Sequence, residues 1–283
     1  MIPKPRPVFR KLLPLETSRP KRGLAAMTMA VGFLRPDGVV IGADRQITGA
    51  NYTFPERKIE SFHWQNGAGV LAYSGDRDVF RDFLANMYGA FGQNVTRQEN
   101  EVRPLIKQCL DALHLKKNDV FLTLFGYLLR DRPPRLVLSN SRQRVVSAGL
   151  CEVIGYGDSP LSRSFLGRYL DVPLIGGIKQ ASIYAVDFIS QAKRYDGQYV
   201  GDGIDVFSID RSGVDGTESV HVLDAGRTGQ WENRIATARY WLDVFFNELS
   251  NTENPMINVE MFKQRMGDFR QWAGGDPIPW SAP

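Results

Sequence analysis

A threonine directly preceded by a methionine opens an apolar segment, Met27-Thr28-Met29-Ala30-Val31-Gly32-Phe33. A threonine freed as an N-terminus carries a hydroxyl and an amine on one residue, so it can be nucleophile and general base together. Its amine has an intrinsic pKa of about 8 and is partly neutral near physiological pH, ready to accept a proton. Asp37-Gly38 turns the chain, and Val39-Val40-Ile41-Gly42-Ala43-Asp44 returns it. Two apolar strands around an Asp-Gly turn read as a hairpin, which sets the Thr28 end beside the Asp44 carboxylate. Singly, a threonine opening a strand or an aspartate closing one is commonplace. The pair gains meaning from what else the fold brings near it.

The elements that must position these residues follow from periodicity. After a loop over about 45–56, Lys58 to Trp64 and Gly69 to Ser74 read as strands around an Asn66-Gly67 turn. From Asp76 to Phe91 the apolar residues Val79, Phe80, Phe83, Leu84, Met87 and Phe91 recur at helical spacing. Asp76 and Asp78 suit the positive start of that helix. A second helix is expected over about 98–115, with Val102, Leu105, Ile106, Cys109 and Leu113 on one face. Val120–Leu129, Arg135–Ser139, Arg144–Ala148 and Cys151–Gly155 read as an antiparallel meander. Ser159–Leu170 and Ile178–Lys193 form the next helix pair. Ile204–Ile209 alternates as a half-buried strand with Ser219–Leu223 as its partner, and Thr228–Leu249 is a final helix. Sheet, helix pair, sheet, helix pair, sheet predicts a layered α+β domain with two antiparallel sheets between helices.

These residues carry a resemblance. Thr28 to Asp44, continuing Arg45-Gln46-Ile47-Thr48, resembles the start of a proteasome β-subunit without a gap. Arg57-Lys58-Ile59 resembles the segment with that family's catalytic lysine, after a loop about two residues shorter. Ala72-Tyr73-Ser74-Gly75-Asp76 resembles the strand-to-helix turn whose glycine N–H forms the oxyanion hole. Val153 to Pro160 resembles the Gly-Ser-Gly-Ser turn, and Tyr199 to Val206 the late Ser-Gly-Gly turn. The resemblance covers residues 28 to about 210. It implies a four-layer αββα sandwich of N-terminal-nucleophile type, with Thr28 attacking, Asp44 orienting Lys58, and the Gly75 N–H facing the oxyanion. It further implies that Ile47, Thr48, Tyr73 and Arg77 line a substrate pocket, where Arg77 would favour an acidic group before the cut bond.

The match departs in its supporting residues. The turn serine falls at Tyr156, or at Ser159 if the turn is one residue longer. The late aspartate has Asp196 as its nearest candidate, and the serine after it falls at Gly201. These departures resemble the bacterial proteasome-like, Anbu-type proteins more than proteasome β-subunits. The resemblance implies an unfolded polypeptide or peptide substrate, a homo-oligomeric ring or spiral, an ATPase unfoldase as partner, and no cofactor. Two other readings stay open: a catalytically inactive structural subunit, and an N-terminal-nucleophile amidase acting on small amides.

Composition bounds the rest. The 283 residues carry a formal net charge of +4. The excess sits in residues 1–27, where Lys4, Arg6, Arg10, Lys11, Arg19, Lys21 and Arg22 face Glu16 alone. The remainder is near neutral, so composition argues against nucleic-acid binding. The apolar runs are strand-length and predict no membrane span. Cys109 and Cys151 fit a reduced cytoplasmic interior, and His63, His114 and His221 are too scattered to hold a metal. Five prolines make residues 1–27 a poor helix. With that leader attached, the Thr28 amine is an amide and cannot act as base. Either the leader is a propeptide, or translation starts at Met27, or the protein is an inactive shell subunit. The form of Met27-Thr28 favours the second. The expected organisation is thus a leader over 1–27, a catalytic domain over 28–250 and a polar tail over 251–283.

Overall fold

The computed structural model describes residues 28–48, 53–92, 94–115, 121–142, 144–155, 177–196, 200–201, 203–213, 217–223 and 225–251. The chain opens with β1 (Met29–Arg35) and β2 (Gly38–Asp44), paired antiparallel with Ala30 opposite Ala43. Both strands read as near-continuous apolar runs because both of their faces are covered. Met29, Val31 and Phe33 pack with Ala181, Ala185 and Ile189 of helix α3 (Gly177–Asp196). Ala30, Val39 and Ile41 pack instead with Val70, Leu124 and Leu136 from a second sheet.

That second sheet orders β5 (Ile59–Trp64), β6 (Gly67–Gly75), β7 (Phe121–Leu129), β8 (Arg135–Asn140) and β9 (Val145–Ser147). Its other face packs on α1 (Arg77–Ala90) and α2 (Glu99–Asp111). The helical stripes read from sequence are the buried ones: Phe80, Phe83 and Met87 on α1, Val102, Ile106 and Cys109 on α2. Asp76 caps α1, its carboxylate accepting from the N–H groups of Asp78 and Val79 at 2.8 and 3.2 Å. The first sheet is completed by β10 (Cys151–Gly155), β11 (Ile204–Asp210) and β12 (Ser219–Leu223), in the order β10-β1-β2-β11-β12. Helix α4 (Ala225–Asn251) packs on that side through Trp231 and Ile235. The architecture is therefore α+β with antiparallel sheets, and no described helix is long and apolar enough to cross a membrane.

Two expectations are corrected. Cys151–Gly155 does not continue the meander; it crosses to pair with β1, Met29 opposite Gly155. Val153 faces the α3 side and Ile154 the inner side, so this strand has two apolar faces to cover. A place beside the short, largely exposed β9 would leave one of them in water. The loop over 45–56 also contains a small antiparallel pair, β3 (Gln46–Thr48) with β4 (Thr53–Pro55). These strands are too short to show a periodicity. The helix expected over Ser159–Leu170 lies outside the described residues.

Candidate active site

Thr28 stands at the head of β1 and is fully buried, as are Asp44 at the end of β2 and Lys58 just before β5. The hairpin register brings the first two together: the Met29 N–H donates to Asp44 Oδ1 at 2.8 Å. Lys58 Nζ lies 3.1 and 3.2 Å from the two Asp44 oxygens and also donates to the Gln46 carbonyl. Asp44 Oδ2 accepts further from the N–H groups of Gln46 at 3.1 Å and Gly201 at 3.4 Å. Burial pushes the Asp44 carboxyl up from the usual carboxylate range, while the Lys58 ammonium and the backbone donors pull it back. Such a carboxylate holds the lysine in one place and orientation.

The turn after β6 approaches Thr28 from the other sheet. Ser74 Oγ donates to the Thr28 carbonyl at 3.4 Å, so Gly75 is one residue away from the Thr28 backbone. Gly75 ends β6 opposite Phe121 with φ 122°, a conformation that disfavours any other residue. Gly155, at φ 80°, closes the third side. A Cβ there would stand 1.8 Å from the Thr28 carbonyl oxygen and 2.5 Å from Ser74 Oγ. Within this enclosure the Thr28 hydroxyl has no hydrogen-bond partner among the described residues.

The four residues expected to act chemically are therefore drawn together by two sheets. Of the expected pocket residues, Ile47 and Tyr73 are 6% and 1% exposed. Tyr73 stacks on Phe80 with ring centroids 3.7 Å apart, and burial pushes its hydroxyl pKa up. Arg77 is half-exposed and already engaged: its Nε and Nη2 reach Glu56 Oε1 at 2.9 and 2.6 Å, over the Phe54 ring. Ser159 and the side chains of Thr48 and Asp196 lie outside the described residues.

Four residues have roles here that the sequence did not assign to them. Ser74 and Gly155 sat inside recognised turns, but their roles depend on the close approach of β6 and β10 to Thr28. Gly201 supplies an N–H rather than a side chain, which no residue type advertises. Asp205, 1% exposed on β11, sits 3.6 and 4.0 Å from the Nε atoms of Arg45 and Arg57, the residues flanking Asp44 and Lys58 in sequence. A charged residue in an apolar strand was the available signal.

No family model and no curated protein sequence matches this chain. Solved structures do. A Gly-1 mutant of Anbu from Hyphomicrobium sp. strain MC1 superposes with a TM-score of 0.64 at 15% identity, covering 79% of this chain and 100% of that one. Anbu from Yersinia bercovieri, described as an ancestral beta-subunit, gives 0.61 at 14%, covering 80% and 98%. The helical assembly of the Anbu complex from Pseudomonas aeruginosa gives 0.61 at 15%, covering 81% and 98%. Over about four-fifths of its length, then, this chain has the fold of the Anbu proteins, the ancestral proteasome β-subunit-like proteins.

Proposed function

We propose that the chain is a threonine-dependent peptidase of proteasome type, active once Thr28 is the N-terminus. The observation that carries this reading is the buried Thr28 hydroxyl, without a hydrogen-bond partner among the described residues, on a residue whose carbonyl accepts from Ser74 and whose neighbour Met29 donates to the Lys58-paired Asp44. Thr28 Oγ attacks the scissile carbonyl carbon as its proton passes to the free Thr28 amine. The carbonyl oxygen becomes an oxyanion facing the Gly75 N–H, a donor worth about 3 kcal/mol of barrier. The tetrahedral adduct collapses: the C–N bond breaks, and the leaving amine takes the proton held by the Thr28 ammonium. Water, deprotonated by the same amine, then hydrolyses the ester and restores the hydroxyl. Lys58 keeps positive charge beside the developing alkoxide, and Asp44 keeps Lys58 in place.

On this reading residues 28–250 form a four-layer αββα sandwich, the substrate is an unfolded polypeptide or peptide, and the protein works in the cytoplasm as a homo-oligomeric ring or spiral with an ATPase partner. A pocket lined by Ile47, Thr48, Tyr73 and Arg77 completes the assignment, with Ser159 and Asp196 in support. The helical assembly named for the Pseudomonas protein supports the oligomer. A second reading, an inactive structural subunit, is favoured by one observation: Gly201 stands where the resemblance expects a serine, so one support for the Thr28 amine is missing.

N-terminal mass spectrometry of the natively expressed protein, with hydrolysis of fluorogenic peptides by the wild type and Thr28→Ala, decides between them. The peptidase starts at Thr28 and loses hydrolysis in the variant. A mature chain that retains residues 1–27, or unchanged turnover by Thr28→Ala, selects the structural subunit.

A further inference from the structure

A cavity lies far from Thr28. β6 runs from the turn at Asn66 to Gly75, so its two ends are about 27 Å apart. The site described above is at the Gly75 end. At the Asn66 end, α2, the β7–β8 turn and β9 enclose a groove of about 1300 Å³. That exceeds the roughly 300–1,000 Å³ of small-molecule pockets and suits an extended polymer.

Among the described residues, seven cationic side chains line this groove against one carboxylate, Glu99. Four of the cations are committed within the chain. Arg97 donates to the Ala90 carbonyl, Arg103 to the Val145 carbonyl at 2.9 Å, Lys107 to Asp111, and Arg135 to Glu99. The other three, Arg130, Arg132 and Arg144, are exposed and have no carboxylate in ion-pair range among the described residues. So dense a cluster in an otherwise near-neutral body is a local field that a polyanion would satisfy.

We propose that this groove binds an acidic, extended segment of polypeptide. Two observations favour carboxylates over a nucleic-acid phosphate chain. Arg135 already clasps a side-chain carboxylate here, its Nε and Nη2 reaching Glu99 Oε1 at 2.7 and 2.6 Å, so the groove's geometry accepts that group. Tyr127, the aromatic ring among the lining residues, is 3% exposed and offers no face for a base to stack on. Val146 on the rim is 44% exposed and gives an aliphatic side chain of the segment something to cover. The Arg103 guanidinium caps the Val145 carbonyl of edge strand β9, so recognition runs through side-chain carboxylates rather than an added strand.

The test is fluorescence anisotropy of labelled octaglutamate with the full-length protein at low ionic strength. The wild type binds, salt weakens the complex, and R130E/R132E/R144E weakens it by about tenfold or more. The variant K179E/R194E/R227E makes the same charge change on the opposite helices and leaves affinity within about twofold. Unchanged urea midpoints show that both variants fold. Equal losses in the two variants, no binding by the wild type, or tighter binding of an oligothymidylate of equal charge would each overturn the proposal.

Discussion

Lys58 Nζ lies 3.1 Å from Asp44 Oδ1 with both side chains sealed from solvent. A buried pair of this kind is weak evidence of net stabilisation, since desolvating two charges offsets their attraction. Breaking it from one side is costly. Lys58→Met should destabilise the fold by about 3–5 kcal/mol, because the Asp44 carboxyl is left buried without its counter-charge. Adding Asp44→Asn should recover part of that loss. Urea denaturation of the two single variants and the double variant measures both effects. Additive losses in the double variant would show that the pair is not coupled.

Gly155 is the narrowest point of the enclosure. An alanine there meets the Thr28 carbonyl oxygen at 1.8 Å and must hold φ near 80°. Gly155→Ala should therefore cost roughly 2–4 kcal/mol and displace Thr28. Thermal unfolding checks the first consequence. A loss of peptide hydrolysis at temperatures where the variant is still folded checks the second.

Glu56 occupies the charge of Arg77, which sequence alone would offer to an acidic substrate group. Glu56→Gln frees the guanidinium. On the peptidase reading, the ratio of kcat/KM for an acidic over an aliphatic residue before the cut bond should rise by about threefold to fivefold, the scale of a half-exposed ion pair. Arg77→Ala should abolish that gain when combined with it. Profiling with a matched pair of fluorogenic peptides reads the ratio directly.

Cys109 carries a thiol that burial pushes up to about 11, against 9.0 for the free group. Between those values the unfolded chain releases the proton first and binds fewer protons than the native state. Stability therefore falls as the pH rises from about 9 to about 11, and below that window the contribution is fully present. Cys109→Ser should flatten that part of a urea-midpoint-versus-pH curve. Burial raises the Cys151 thiol as well, so both cysteines should resist thiol reagents at neutral pH until the protein is unfolded.

Much of the frame was legible in order of residues. The stripes of α1 and α2 follow from helical spacing, and Asp76 was placed where its carboxylate caps α1. The Asp37-Gly38 turn set the hairpin register that puts the Met29 N–H on Asp44. These are interactions between residues close in the chain, where periodicity and turn chemistry are strong constraints. Tertiary structure decided the rest. Gly201 reaches Asp44 across 157 positions, and Ser74 reaches Thr28 across 46. Cys151–Gly155 left its meander for β1 because both its faces needed cover. Glu56 neutralised Arg77, and scattered arginines from α2, β8 and the turns around it converged on one groove. Which strands become neighbours depends on how whole sheets bury their faces against one another. That choice is made over the entire domain, and no local pattern records it.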